Sequence, residues 1–191
     1  MGLAYRKDQE VKRDGVEKYE GIPVLRANNI DLTSNTLKYE DIVRIKKGTD
    51  LKEGKTLQKD DTLVCAGSGS KDHIGKVAYS HDDTEYVIGS SMGVVRTKGN
   101  MNPRFMFYVL TSQHFRDFLD EEVEASTIRH VTIKLMGRLR VTLPPLDVQK
   151  RIVKELDSLF NTLEDKEEEL ELRKKQYTYA LDRLFDFSKL N

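Results

Sequence analysis

Apolar residues fall into short runs along the first three quarters of the chain and into one helical stripe along the last quarter. Residues 22–25, 42–45, 62–65, 76–79, 86–88, 93–96 and 139–143 are three to five positions each, separated by turn residues, and predict strands. Asn102 followed by Pro103 predicts an N-cap with proline at the first helical position. Phe105, Phe107, Tyr108, Val109, Leu110, Phe115, Phe118 and Leu119 then predict one strongly apolar helix packed on the sheet. Between Val64 and Val77, residues 65–75 carry three glycines among small polar side chains, a loop that permits positive φ and close backbone approach.

The pattern changes at Pro144 and Pro145, which stop the preceding strand; no glycine or proline follows. Asp147 is a suitable N-cap, and the unbroken stretch after it predicts a helix about 60 Å long, too long for a small domain to cover. Alternating steps of four and three give Ile152, Leu156, Leu159, Leu163, Lys166, Leu170, Arg173, Tyr177, Ala180 and Leu184, a heptad seam with two polar members. The other reading of that stripe is a single amphipathic helix folded back on its own domain. An acidic stretch at 164–171 and the basic Arg173, Lys174 and Lys175 favour an exposed coiled coil. The expected fold class is α+β: a globular mixed-sheet domain over residues 1–143, then a long coiled-coil helix over 144–191.

Composition narrows the function. With 32 basic and 32 acidic side chains the net charge is zero, so any binding to nucleic acid needs a local patch rather than bulk attraction. The single cysteine, Cys65, excludes a disulfide framework and a multi-cysteine zinc site. No apolar run approaches the roughly 20 residues needed to span a bilayer, and residues 1–20 are too charged for a signal peptide. The expectation is a soluble, cytoplasmic protein with no membrane partner.

Catalytic parts are missing from the sequence. No Cys-His or Ser-His-Asp signature stands out, and no G-x-S-x-G forms a strand-to-helix elbow. The glycine loop is not a nucleotide-binding P-loop, because Gly75 and Lys76 are followed by Val77 and the position five before Gly75 is Ser70. His81, Asp82 and Asp83 read as a solvated turn rather than a metal site, and His73, His81, His114 and His130 lack ligand spacing. No enzyme activity, metal or cofactor is expected.

With that layout, the residues resemble a known family. The run from Gly21 to Ile30 (GIPVLRANNI), then Asp60, Asp61, Thr62, Leu63 and Val64 leading into Gly67, Ser68, Gly69 and Ser70, is similar to the target-recognition domain of type I restriction-modification specificity subunits. Ser126, Thr127 and Ile128, and then Pro144-Pro145-Leu146-Asp147-Val148-Gln149-Lys150-Arg151-Ile152, resemble that family's join between recognition domain and conserved helix, a "PPL..Q..I" run. The resemblance covers about residues 21–187; residues before Gly21 lack the usual opening strand signature. It implies a DNA target-recognition domain that reads one half of a split DNA sequence. The helix, a conserved dimerisation and spacer region, would dock methyltransferase subunits and through them the restriction subunit, with the methyl and cleavage chemistry in those partners. A full specificity subunit has two such domains and two such helices, so this chain is expected to be a half-subunit, natural or excised.

Reading double-stranded DNA needs donors and acceptors on exposed loops. Arg26, Asn28 and Asn29 directly follow a strand, and arginine suits guanine as asparagine suits adenine; the alternative is a turn held by asparagine side chains. Ser68, Ser70 and Lys71 on the glycine loop suit phosphate oxygens, or else form a flexible hairpin tip. Ser126, Thr127, Arg129 and His130 form a third polar group, with Lys98 and Arg104 as further choices. For assembly, Ile152, Leu156, Leu159, Leu163, Leu170, Tyr177 and Leu184 are the expected dimerisation residues, pairing with a second copy or another specificity half. An antiparallel pair crossing near Leu172 sets acidic blocks beside basic ones and implies a palindromic target with a fixed spacer. The competing function is a protein-interaction adaptor that oligomerises through its helix.

Overall fold

A computed structural model of the protein describes residues 9–10, 20–50, 55–68, 73–124 and 130–184. The chain divides into two compact units, Met1–Leu146 and Asp147–Asn191. The first contains β1 (Ile22–Leu25), β2 (Val43–Ile45), β3 (Thr62–Cys65), β4 (Val77–Tyr79), β5 (Val87–Ile88), β6 (Met92–Val95), α1 (Pro103–Thr111), α2 (Gln113–Glu124) and α3 (Ile133–Met136). The second contains α4 (Leu146–Leu184), which begins one residue before the boundary.

Two three-stranded sheets form the first unit. One has the order β2-β1-β5, with β2 antiparallel and β5 parallel to β1; the other, β4-β3-β6, is antiparallel throughout. Strand alternation decides what each side chain packs against. Along β3, Leu63 and Cys65 join Leu25, Ile88, Ala78 and Met92 in one core, while Val64 and the following Ala66 join Val77, Phe107, Leu110, Phe115 and Leu119 in another. β3 is therefore buried on both faces: one core lies between the sheets and the other beneath α1 and α2. Val24, Ile45 and Val87 make a third, smaller cluster on the far face of the first sheet.

The expected strands at 22–25 and 62–65 form as read, and four others form within a residue of their expected ends. Residues 139–143 do not form a strand; they run without ladder partners, Leu139 packing into the helix-side core and the Arg140 carbonyl lying 3.2 Å from His114 Nε2. The apolar helix is likewise two helices. At Ser112 the backbone turns extended (φ −70°, ψ 157°), and its hydroxyl donates to Val109 O at 2.6 Å. This is a serine competing for backbone partners inside a helical pattern. α4 starts at Leu146, placing Asp147 in its first turn rather than at the cap, where its charge still suits the helix dipole. Upstream of Gly21, Glu10 bridges to Ile45 and Lys46 N donates to Gln9 O at 2.9 Å, so chain before the first expected strand extends the first sheet beyond β2.

Candidate functional site

Three segments converge where β1, β3 and β5 end, at the point where the chain crosses from one sheet to the other. The first is a 3-10 turn at Ala27–Asn29. Asn29 is fully buried: its Oδ1 accepts from Arg26 N at 2.9 Å, and its Nδ2 donates to the carbonyls of Lys38 and Glu40 at 3.1 and 3.0 Å. Lys38 N returns a bond to Asn29 O at 2.8 Å. The Asn29 amide is thus spent on scaffold, and the turn-stabilising alternative left open by the sequence describes it. A base-contacting role for Asn29 is corrected on this ground, since a side chain with no exposed surface does not reach DNA. Asn28, its neighbour, is exposed.

The second and third segments are the ends of β3 and β5. Gly89 N donates to Leu25 O at 2.8 Å, while Ser91 O accepts from both Ala66 N at 2.8 Å and Gly67 N at 3.0 Å. The approach at Gly89 admits no larger residue comfortably, because a Cβ there would stand 3.0 Å from Leu25 O. Gly67 also bridges to His130, and Val131 N donates to Ala66 O at 2.7 Å. A Cβ on Gly67 would lie 2.3 Å from His130 Nδ1, so glycine is what lets that ring settle on the loop.

This frame surrounds an open cleft of about 400 Å³ lined by Arg26, Asn28, Ser68, His73, Ser90 and Ser91, among others. None of its described lining residues is acidic. Arg26 Nε is buried without a hydrogen-bond partner, which costs about 1–3 kcal/mol for such a donor. Asn28 of the first sequence cluster and Ser68 of the second are therefore brought to one place, with His130 of the third against the adjoining Gly67. Ser70, Lys71, Thr127 and Arg129 lie outside the described residues. Lys98 is exposed and does not line the cleft. Arg104 does not line it either; its guanidinium stands 4.7–5.0 Å from the ring centres of Tyr79, Phe107 and Tyr108. Cys65 is a core side chain whose burial pushes the thiol pKa up.

Sequence reasoning missed His73, Ser90 and Ser91. The signal for the serines was present, a glycine and two serines between apolar runs, but nothing local says that this turn and the one after β1 share an end of the molecule. Among the described residues no three His, Cys, Asp or Glu side chains are placed to hold a metal ion, and no helix is long and apolar enough to cross a membrane.

Residues 5–172 match the family model described as the type I restriction modification DNA specificity domain. The chain belongs to that family. It is 27% identical over 158 residues to the type I restriction enzyme EcoKI specificity subunit of Escherichia coli K12, covering 83% of this chain and 33% of that protein. It is 24% identical over 170 residues to the StySPI specificity subunit of Salmonella potsdam, covering 89% and 35%. The chain thus spans about a third of the length of these curated relatives. Among solved structures, the HsdS subunit from Thermoanaerobacter tengcongensis shares the fold at a TM-score of 0.58 and 19% identity, covering 84% of this chain and 40% of that one. The S subunit from M. genitalium aligns at 0.54 and 15%, covering 92% and 40%.

The second surface of this specificity-family chain is on α4. Leu159, Leu163, Leu170 and Tyr177 are each more than half exposed, in a row spaced by four and seven residues. Ile152 and Leu156 are half-buried, and the Leu184 side chain lies outside the described residues. The two polar seam members share one partner: Lys166 Nζ and Arg173 Nη2 lie 3.3 and 2.8 Å from Glu169 carboxylate oxygens. Lys174 pairs with Glu171 at 2.7 Å and lowers that carboxyl's pKa. The acidic and basic blocks are therefore partly paired within the helix.

Proposed function

We propose that this chain is a non-catalytic, sequence-specific DNA-recognition subunit of a type I restriction-modification system, reading one half-site with the loops around the cleft and assembling with methyltransferase subunits and, through them, a restriction subunit. The observation that carries the reading is the convergence on one cleft, with no acidic side chain among its described lining residues, of Arg26, Asn28, Ser68 and the Ser90-Ser91 turn, in a chain of the DNA specificity family. Polar side chains on loops held by a rigid sheet frame are what base and phosphate contacts need. Ser70, Lys71, Thr127 and Arg129 belong to the same proposal as sequence neighbours of Ser68 and His130, and Lys98 as a contact outside the cleft.

The α4 row serves assembly in this proposal. A second copy, or another specificity half, covers Leu159, Leu163, Leu170 and Tyr177 and supplies the second recognition domain. Exposed helix ion pairs contribute only about 0.3–0.5 kcal/mol each, so those around Glu169 exchange for pairs between chains at little cost. The apolar seam, rather than the charge blocks, then provides most of the association energy. Selection of bound sequences from a random DNA library, with and without methyltransferase subunits, tests recognition; a chain that enriches no sequence in either setting is an adaptor instead. Light scattering tests pairing: a strict monomer at tens of micromolar, unchanged by Leu163→Asp, ends the self-association claim.

A further inference from the structure

The cleft has a chemical bias that separates two kinds of DNA contact. Arg26 has no ion-pair or hydrogen-bond partner for its guanidinium among the described residues, and the Asn28 amide and the Ser90 and Ser91 hydroxyls likewise have no partner among them. Arg26 is also walled in. Its Cγ lies 3.5 Å from where a Cβ on Gly89 would stand, and its Nε has lost its contact with water. The side chain is half-buried, its Nε enclosed and its stem beside the Gly89 turn, whereas an arginine that reads guanine must project into the major groove to meet O6 and N7 in the plane of the base. The convex feature of a duplex, the one that fits a recess, is the phosphate, which offers acceptors only and carries a full negative charge.

We propose that the cleft is an oxyanion site for one phosphate group: Arg26 and the Ser90-Ser91 turn clamp it, and Asn28, exposed beside them, is left as the base reader. The frame supports this division. Gly89 N on Leu25 O, and Ala66 N and Gly67 N on Ser91 O, fix the serine turn relative to Arg26 before any ligand arrives. No described lining residue is acidic, so none of them competes for the guanidinium. The proposal depends on the DNA reading only for the source of the phosphate, not for the anion site itself.

Two measurements on the full chain separate these points. Inorganic phosphate is titrated while the Arg26 Nε–H resonance is followed, that proton being shielded from solvent. Saturable shifts of Arg26 and of the Ser90 and Ser91 amides, absent when chloride replaces phosphate at equal ionic strength, are expected. No phosphate-specific shift overturns the proposal. DNA binding is then measured against salt for wild type, Arg26→Ala, Arg26→Lys and Ser90→Ala/Ser91→Ala. The expected result for Arg26→Ala is a salt slope shallower by about one unit, with every sequence weakened by the same factor and Arg26→Lys partly restoring affinity. The serine pair, on an exposed turn, gives the same uniform weakening and keeps the experiment readable if Arg26→Ala fails to fold. A changed base preference at one position with an unchanged slope makes Arg26 a base reader and overturns the proposal. A wild-type chain that shifts with phosphate but binds no DNA, even with methyltransferase subunits, keeps the anion site and removes the DNA reading.

Discussion

The cleft of the first unit and the exposed row of α4 hold their side chains in register by opposite means. On α4, each residue of the row is placed by the helix itself: Leu159, Leu163, Leu170 and Tyr177 share a face because of their spacing, and no other part of the chain is needed to align them. In the cleft, Arg26, Ser68 and Ser90 lie on three separate loops, and they meet because Leu25 O, Ser91 O and the buried Asn29 amide tie those loops together. One surface is as strong as its local helix and the other as strong as the whole domain. The row can gain a partner without reorganising, while the cleft is lost with its scaffold.

The largest test of that contrast sets a core leucine against a row leucine. Leu63 is fully buried on the central strand β3, and Leu63→Ala should cost about 2–5 kcal/mol in urea unfolding, since the removed side chain leaves a cavity between the sheets. Leu159→Ala, at 63% exposure, should change stability by less than about 0.5 kcal/mol at concentrations where the chain is monomeric. A Leu159 effect that grows with protein concentration would show the row covered by a second copy. A large effect at every concentration would show it packed within its own chain, and the comparison would break.

Next in size are two adjacent asparagines. Asn29→Ala removes the acceptor for Arg26 N and the donor to two carbonyls, all in a fully buried setting, and should cost about 2 kcal/mol or more of stability. Asn28→Ala, one residue away and exposed, should leave the unfolding midpoint within about 0.5 kcal/mol. In DNA binding it should weaken the preferred sequence by about 1–3 kcal/mol and relax the preference at one position. If Asn28→Ala destabilises the fold and leaves binding intact, the whole 26–29 turn is scaffold.

These pairs also show where the sequence was readable. Two strands, the Asn102 N-cap with Pro103, and a long helix after Pro145 follow from patterns that act within a few residues, and those patterns hold in the structure. Residues 139–143 carry a strand pattern but find no ladder partner, which pattern alone does not reveal. Ser112 splits a helix because its hydroxyl and backbone take partners of their own. Asn28 and Asn29 are identical letters with opposite fates, decided by whether the segment carrying Lys38 and Glu40 folds over one of them. The cleft needed three such long-range facts at once. For that reason single clusters were visible in the sequence, and their meeting, with Ser90 and Ser91 added, was not.

The smallest expected effect concerns the loop that buttresses the cleft. Asp31 sits just after the Asn29 turn, where its Oδ1 accepts from Thr33 N at 2.8 Å and Ser34 N at 2.9 Å and its carboxylate pairs with Lys38. The Lys38 ammonium first, and then the Ser34 amide, hold the Asp31 pKa well below the usual carboxylate range. Because the folded state favours the ionised form, this contribution is present above the unfolded pKa of about 3.9 and is lost as the pH falls from there through the depressed folded value. Lys38 is about half exposed, so solvent screening keeps the contribution of the pair small. Asp31→Asn keeps an oxygen for the two amides and removes the charge. It should unfold at lower urea than wild type at pH 6, with the gap closing as the pH is taken below about 4, and added salt should narrow the gap at pH 6. The α4 pairs around Glu169 offer the contrast. Glu169→Gln should leave the urea midpoint of the first unit unchanged at every pH, since the partners of that carboxylate among the described residues, Lys166 and Arg173, lie on its own helix. A Glu169 substitution that moved that midpoint would show the two units stabilising one another, and the division between a locally built row and a globally built cleft would no longer hold.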